Sequence, residues 1–299
     1  MDLAQAFLIA FHITIAAVVF ATGLATKTSD LAYLAHRPKL LFRSLLAMVI
    51  ISPIFALLLF RFLPIGAATA VAIIVSSLAP GLPTVPRTGQ KAGGNFAFAT
   101  SLMFTTASLE VITIPIWLAI LRHFMNIEVA VPLGSIVKIL AIGLLLPLIA
   151  GVAVRHFAAK LADRIMGPIA TFANTLLPGL SLVVLLVGLS ALRQLGWISL
   201  VAMILMPLFS LLLGHSFGGP EPGDRTVLGI ANAGRFPALA ALIATTSFPE
   251  IHALPAVIAY VVISNIVILP YVRRRRGARH TSEEEKASEV HGGAPPVPA

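Results

Sequence analysis

Two arginines sit where an arginine is expensive. Arg87 lies in "SSLAPGLPTVPRTGQKAGGN" and Arg235 in "GIANAGRFPALAA", and both stretches interrupt long apolar runs. A charged side chain near the centre of a bilayer costs at least about 2.5–3.5 kcal/mol, so each needs a partner or a task. A guanidinium offers planar, paired donors that suit a carboxylate or a sulfate. Arg87 and Arg235, with Thr84 and Asn232 in the same interruptions, are therefore candidate ligands for a small organic anion. Glu110, in "ATSLMFTTASLEVITIPIW", is the acid placed well inside an apolar run. It is a candidate partner for either arginine or a coupling proton carrier, with a purely structural ion pair as the alternative. Ser101, Thr105 and Ser108 recur every three to four residues on the same run. They are candidates for a polar path, although hydroxyls bonded back to their own helix give the same pattern.

Other chemistry finds no support. The chain has no cysteine, which removes disulfides, thiolate metal sites and thiol nucleophiles. His12, His215 and His252 fall on different runs without metal-ligand spacing, and Lys138 reads as a snorkelling residue at the start of the fifth run. No nucleophile with a base and no carboxylate pair appears, so neither an enzyme, a metal nor a cofactor is expected.

The elements that carry these residues follow from composition. Of 299 residues 58% are hydrophobic and 11% charged, against about a quarter charged in soluble domains, which points to an all-α polytopic membrane protein. About 20 apolar residues cross the hydrocarbon core as a helix. That ruler gives nine spans, near 4–26, 40–62, 66–92, 96–121, 133–154, 166–191, 197–217, 225–247 and 252–272. "MDLAQ" carries an aspartate and no base, so the first run reads as a span rather than a signal peptide. With the N-terminus outside, most Lys and Arg fall on the inner side, from Lys27, Arg37, Lys39 and Arg43 to "RRRRGARH". The net charge of +9 is thus a topology signal, and nucleic acid is not an expected partner. Residues 1–276 read as one transmembrane domain and 277–299 as a disordered cytoplasmic tail, with Arg273, Arg274, Arg275 and Arg276 meeting anionic lipid.

The third and eighth spans are broken. Pro80, Gly81, Pro83 and Pro86 interrupt one, and Gly229, Asn232, Gly234 and Pro237 the other. Proline removes a helical hydrogen bond, and freed backbone in lipid must line a cavity or be buried by protein. Two broken spans of opposite direction are the pattern of a secondary transporter built from an inverted repeat, with its sites where they cross.

The chain resembles the bile acid:sodium symporter family, within the wider group that includes arsenite and auxin-efflux carriers. The resemblance rests on "ATGLATKTSDLAYLAHRPKLL", on "APGLPTVPRTGQKAGGNFAFATSLMFTTASLEVITIPIW", and on "GSIVKILAIGLLLPLIAGVAVRH" and "TVLGIANAGRFPALAALIATTSF", in the family's order and spacing across most of residues 20–270. It implies a panel and a core domain, two broken helices crossing in the core, alternating access, and a first helix of ten-helix members that has no counterpart here. Aligned by its P-G, the first crossover places Val85 and Pro86 where sodium-binding members have Ser and Asn. The second places Ile230, Gly234 and Arg235 on the family's E-x-x-x-Q-N. The resemblance therefore implies that the usual sodium ligands are missing and that fixed guanidinium groups stand in for the cations. The reading is a secondary carrier of a small organic anion, in a bacterial inner membrane, without sodium. The rival is a receptor or scaffold that keeps the fold and does not transport.

Overall fold

A computed structural model of the chain describes residues 3–79, 83–125, 133–192 and 195–292, and among them all regular structure is helical. The order is α1 Leu3–Ala25, the short α2 Thr28–Leu31, α3 Pro38–Phe62, α4 Ala67–Ser77, α5 Val85–Lys91, α6 Phe96–Met125, α7 Leu133–Phe157, α8 Ala159–Leu192, α9 Trp197–Phe217, α10 Pro222–Ala233, α11 Pro237–Ser247 and α12 Leu254–Gly292. Each expected span overlies one helix, or a pair where a break was expected. By length and apolarity, six helical stretches among the described residues suffice to cross a bilayer, one of them the pair α10 and α11 taken together (Pro222–Ser247), where nine spans were expected. Ala67–Ser77 falls short because the third span is interrupted, and His12–Ala25 is likewise apolar but short. The last helix runs on to Gly292, through part of the expected disordered tail. Glu283, Glu284, Glu285 and Lys286 are good helix formers, in keeping with the helical backbone.

Two further prolines reshape helices without breaking them. In α3, Pro53 has no N–H for the carbonyl of Val49, and the preceding Leu46–Ile51 adopts a π-helical turn. The indole Nε1 of Trp117 on α6 donates to that carbonyl at 2.8 Å, so the missing bond becomes an inter-helix tie. Pro147 follows a matching π turn, Ala141–Leu145, in α7.

Packing joins two groups of helices through α8, which lies along both α1 and α12. α1 lies along α7 and α8, whereas α9 packs on α10 and α4 packs on α3, α11 and α12. Glycines set the closest approaches. A Cβ on Gly23 would collide with the Leu148 carbonyl and stand 2.9 Å from the Cα of Gly151, and one on Gly214 would collide with the Leu228 carbonyl. The largest apolar core surrounds α4, α6, α11 and α12, with Ile73, Ile114, Leu118, Leu239, Ile243 and Tyr260 fully buried. This core holds the two interrupted helices in place.

Candidate functional site

The two interruptions meet. α4 ends at Ser77 and α5 begins at Val85; α10 ends at Ala233 and α11 begins at Pro237. Pro86 and Pro237 occupy the first positions of the second half-helices, where a missing N–H costs nothing. Pro80 and Gly81 lie outside the described residues, Pro83 is buried in the turn before α5, and Gly234 is extended, with φ −77°. The C-terminal ends of α4 and α10 both come to the crossing. Such ends carry unpaired carbonyls and the negative pole of the helix dipole.

Those carbonyls are satisfied by named donors. The Phe236 N–H donates to Ala79 O at 2.8 Å, and the Ser264 hydroxyl to Ala233 O at 2.7 Å. Arg235, only 3% exposed, donates from Nη1 to Ser77 O at 3.3 Å and from Nη2 to Ser210 Oγ at 3.1 Å. Tyr260 and Glu110 are buried in the same core. Asn232 is fully buried: Ser52 Oγ donates to its Oδ1 at 2.9 Å, and its Nδ2 donates to Ser210 O at 2.8 Å. Arg235, Asn232, Ser210 and Ser77 therefore form one polar knot across α4, α9 and α10, extended by Ser52 of α3. As a group it binds helix ends together with a cation at its centre.

The remaining sequence candidates are dispersed. Arg87 is half-buried on α5, and Thr84 caps that helix with its carbonyl, which accepts from Thr88 N at 2.9 Å, and makes no side-chain cap. Ser101 accepts from Leu34 N at 3.1 Å and donates to Leu31 O at 2.8 Å, so it fastens the loop after α2 to α6. The Ser108 hydroxyl is exposed and bonded back to Phe104 O at 2.9 Å, and Thr105 is half-buried.

A cavity of about 360 Å³ lies between α1, α7 and the start of α11. Ile15, Ile139, Ile142 and Leu242 give it apolar walls, Phe236 and Ala238 bring it to the second break, and Lys138 and His12 supply its titratable groups. Neither Arg87 nor Arg235 is among its described lining residues. In the sequence Lys138 looked like a snorkelling residue near a helix end and His12 like a lone histidine without metal-ligand spacing; only the approach of α11 to α1 and α7 gives them a shared space.

A second polar cluster escaped the sequence entirely. Asp224, 1% exposed in the first turn of α10, accepts from the Tyr33 hydroxyl at 3.0 Å and pairs with Arg37 at 3.4 Å. Asn95 Nδ2 donates to Tyr33 Oη at 2.8 Å, and Arg37 Nη1 also contacts that oxygen. Burial, and next the negative charge of Asp224, push the Tyr33 phenol up to about 12. At the same end of the bundle, Arg276 Nε donates to Lys91 O at 3.2 Å and Arg275 lies against His215 at 3.3 Å.

Comparison with known proteins agrees with this architecture. No curated protein matches the chain. The sequence profile of the sodium bile acid symporter family matches residues 12–196, more than half of the chain, from α1 through the first broken helix to the end of α8. Apolar helices able to cross a bilayer together with that match show an integral membrane protein of a transporter family: the chain belongs to the sodium bile acid symporter family.

Proposed function

We propose that the protein is a secondary carrier that moves a small organic anion by alternating access, and that its crossover works without bound sodium. The observation that carries the reading is the cavity that reaches the second break, with Lys138 as its charged lining residue. Phe236 and Ala238 flank the first residue of α11, so the positive pole of that half-helix faces the same space. A lysine and a helix start favour an anion, and the aliphatic walls favour one with an apolar body.

Arg235 supports the sodium-independent part. Two helix C-termini converge at the crossing, which is the electrostatic setting for a cation. The guanidinium sits there covalently attached, donating to Ser77 O. A second unit charge about 4 Å away would be opposed by about 4 kcal/mol at an effective dielectric of 20, close to a thousandfold in affinity. Arg235 is thus a tethered counter-charge rather than an anion ligand, and Lys138 takes the ligand role. Arg87 and Thr84 contribute from the α5 side, and Glu110 balances Arg235.

The distribution of Lys and Arg supports a cytoplasmic basic end and an N-terminus outside, in a membrane proposed to be a bacterial inner one. Arg273 and Arg274 are exposed there and suited to anionic lipid, while Arg275 and Arg276 are engaged with His215 and Lys91.

The test is uptake of radiolabelled carboxylates and sulfonates into proteoliposomes, with sodium replaced by choline at fixed pH and membrane potential. Uptake that persists in choline and weakens in Lys138→Gln is expected. Binding without translocation under an imposed gradient would instead identify a receptor.

A further inference from the structure

At the end of the bundle where Tyr33 meets Asp224, a separate cavity of about 510 Å³ opens between the start of α3 and the loop leading into α10. Arg37, Lys39, Arg43, Gly219, Glu221 and Asp224 form its walls. Arg37 and Asp224 already neutralise each other. Lys39 and Arg43 have no such partner: among the described residues neither has a carboxylate within ion-pair distance, and Arg43 lies only over the Phe217 ring, 6.0 Å from its centre. They stand four residues apart at the start of α3, on one helix face. Like charges at that spacing repel unless an anion lies between them.

The opposite wall is fixed in advance. Gly219 adopts φ +80°, a left-handed turn, and Arg225 Nε holds its carbonyl at 2.6 Å. Glu221, exposed on the rim, contributes one negative charge. Lys39 and Arg43 outweigh the one carboxylate, and the Arg225 guanidinium behind Gly219 adds to them, so an excess of positive charge is left for an anion to neutralise. Phe42, between the two cations in sequence, is 66% exposed, so apolar surface adjoins the charged face.

We propose that this pocket binds a phosphodiester, with Lys39 and Arg43 holding its two free oxygens. The exposed Phe42 ring suits the acyl region of a lipid whose headgroup carries the diester, and a soluble diester shares the same headgroup chemistry. The proposal is independent of what the carrier transports.

The experiment uses the full chain in nanodiscs of mixed phosphatidylcholine and phosphatidylglycerol, with the lipids that copurify after detergent extraction measured by mass spectrometry. Wild type is expected to retain phosphatidylglycerol preferentially, and Lys39→Gln/Arg43→Gln to lose that preference by roughly tenfold, because two charge-assisted bonds are removed. Arg273→Gln/Arg274→Gln should keep it. Glu221→Gln, which removes the opposing charge, should strengthen retention and cannot do so through misfolding. Added glycerophosphoglycerol distinguishes the sources: displacement of the lipid assigns the pocket to soluble diesters as well, and failure to displace assigns it to lipid. Unchanged preference in Lys39→Gln/Arg43→Gln overturns the proposal. So does an equal loss in Arg273→Gln/Arg274→Gln, which would reduce the effect to general surface charge.

Discussion

Phe236 donates its backbone N–H to the carbonyl of Ala79, 2.8 Å away, and so joins the two broken helices main chain to main chain. The neighbouring Arg235 adds a side-chain bond to Ser77 O, on the same half-helix end. A backbone bond and a guanidinium bond from consecutive residues fix both the distance and the charge at the crossing.

Removing the guanidinium should expose that charge. Arg235→Asn deprives Ser77 O and Ser210 Oγ of a donor, at about 1–3 kcal/mol for each buried group left unmet. Thermal unfolding in detergent is expected to show a lowered Tm in choline chloride that recovers in sodium chloride, since a free cation can then enter. Wild type should show the same Tm in both salts. A sodium-dependent Tm in wild type would mean that Arg235 does not occupy the cation position.

Lys138 should act on the cargo and not on the fold. It is exposed into the cavity and makes no described ion pair. Lys138→Gln is expected to raise the KM for anion uptake roughly tenfold, the equivalent of about 1.4 kcal/mol, with Tm unchanged. Lys138→Arg should recover part of the affinity. Equal KM values in all three would remove Lys138 from the site.

The Tyr33–Asp224 contact predicts a pH dependence with a definite sign. The folded phenol pKa, about 12, lies above the ordinary value of 10.0, so the folded state holds this proton more tightly than the unfolded chain. The contribution is complete below about pH 10 and is lost as pH rises toward 12. Tm measured across that window should fall more steeply in wild type than in Tyr33→Phe. Parallel curves would show that Tyr33 is not protonated against Asp224 in the folded state.

The positions of these groups were unequally legible in the sequence. Helices and breaks could be read because they are local: a run of about 20 apolar residues or a cluster of Pro and Gly is complete within its own window. Arg235 could be found because a charge in such a run is conspicuous. Its direction could not, because Ser77 and Ser210 belong to other helices. Tyr33 and Asp224 looked like ordinary loop residues, being far apart in the chain and individually unremarkable in type. Pro53 and Pro147 passed unnoticed because a π turn absorbs each one without ending the helix.

The absence of cysteine allows the orientation to be measured directly. In intact cells, single-cysteine variants Lys39→Cys and Leu133→Cys should differ in labelling by a membrane-impermeant maleimide. Leu133, at the exposed start of α7, should react, and Lys39 only after the cells are opened. The reverse pattern would invert the assigned topology.

Glycine contacts supply a further stability test. Gly151→Ala would drive a methyl group into the Phe20 carbonyl, and overpacking of this kind costs about 1–3 kcal/mol. Gly134→Ala, with nothing within 4 Å of the added carbon, should stay within about 0.5 kcal/mol of wild type. Fluorescence-detected thermal unfolding of the two variants separates these outcomes.

The meeting of Gly23 with Gly151 also bears on how a cargo would travel. Two backbones touching without intervening side chains leave little room to slide, so α1 and the half of α7 after its π turn would move together. The jaw formed by α1 and α7 carries His12, Ile15, Lys138 and Ile142, while Phe236, Ala238 and Leu242 form the opposing jaw on α11. In the proposed transport cycle the two jaws tilt against each other. An anion gripped chiefly by Lys138 then rides with the first jaw, and its apolar body slides over the second. The placement of charge on the cargo, more than its bulk, would decide which jaw it leaves last.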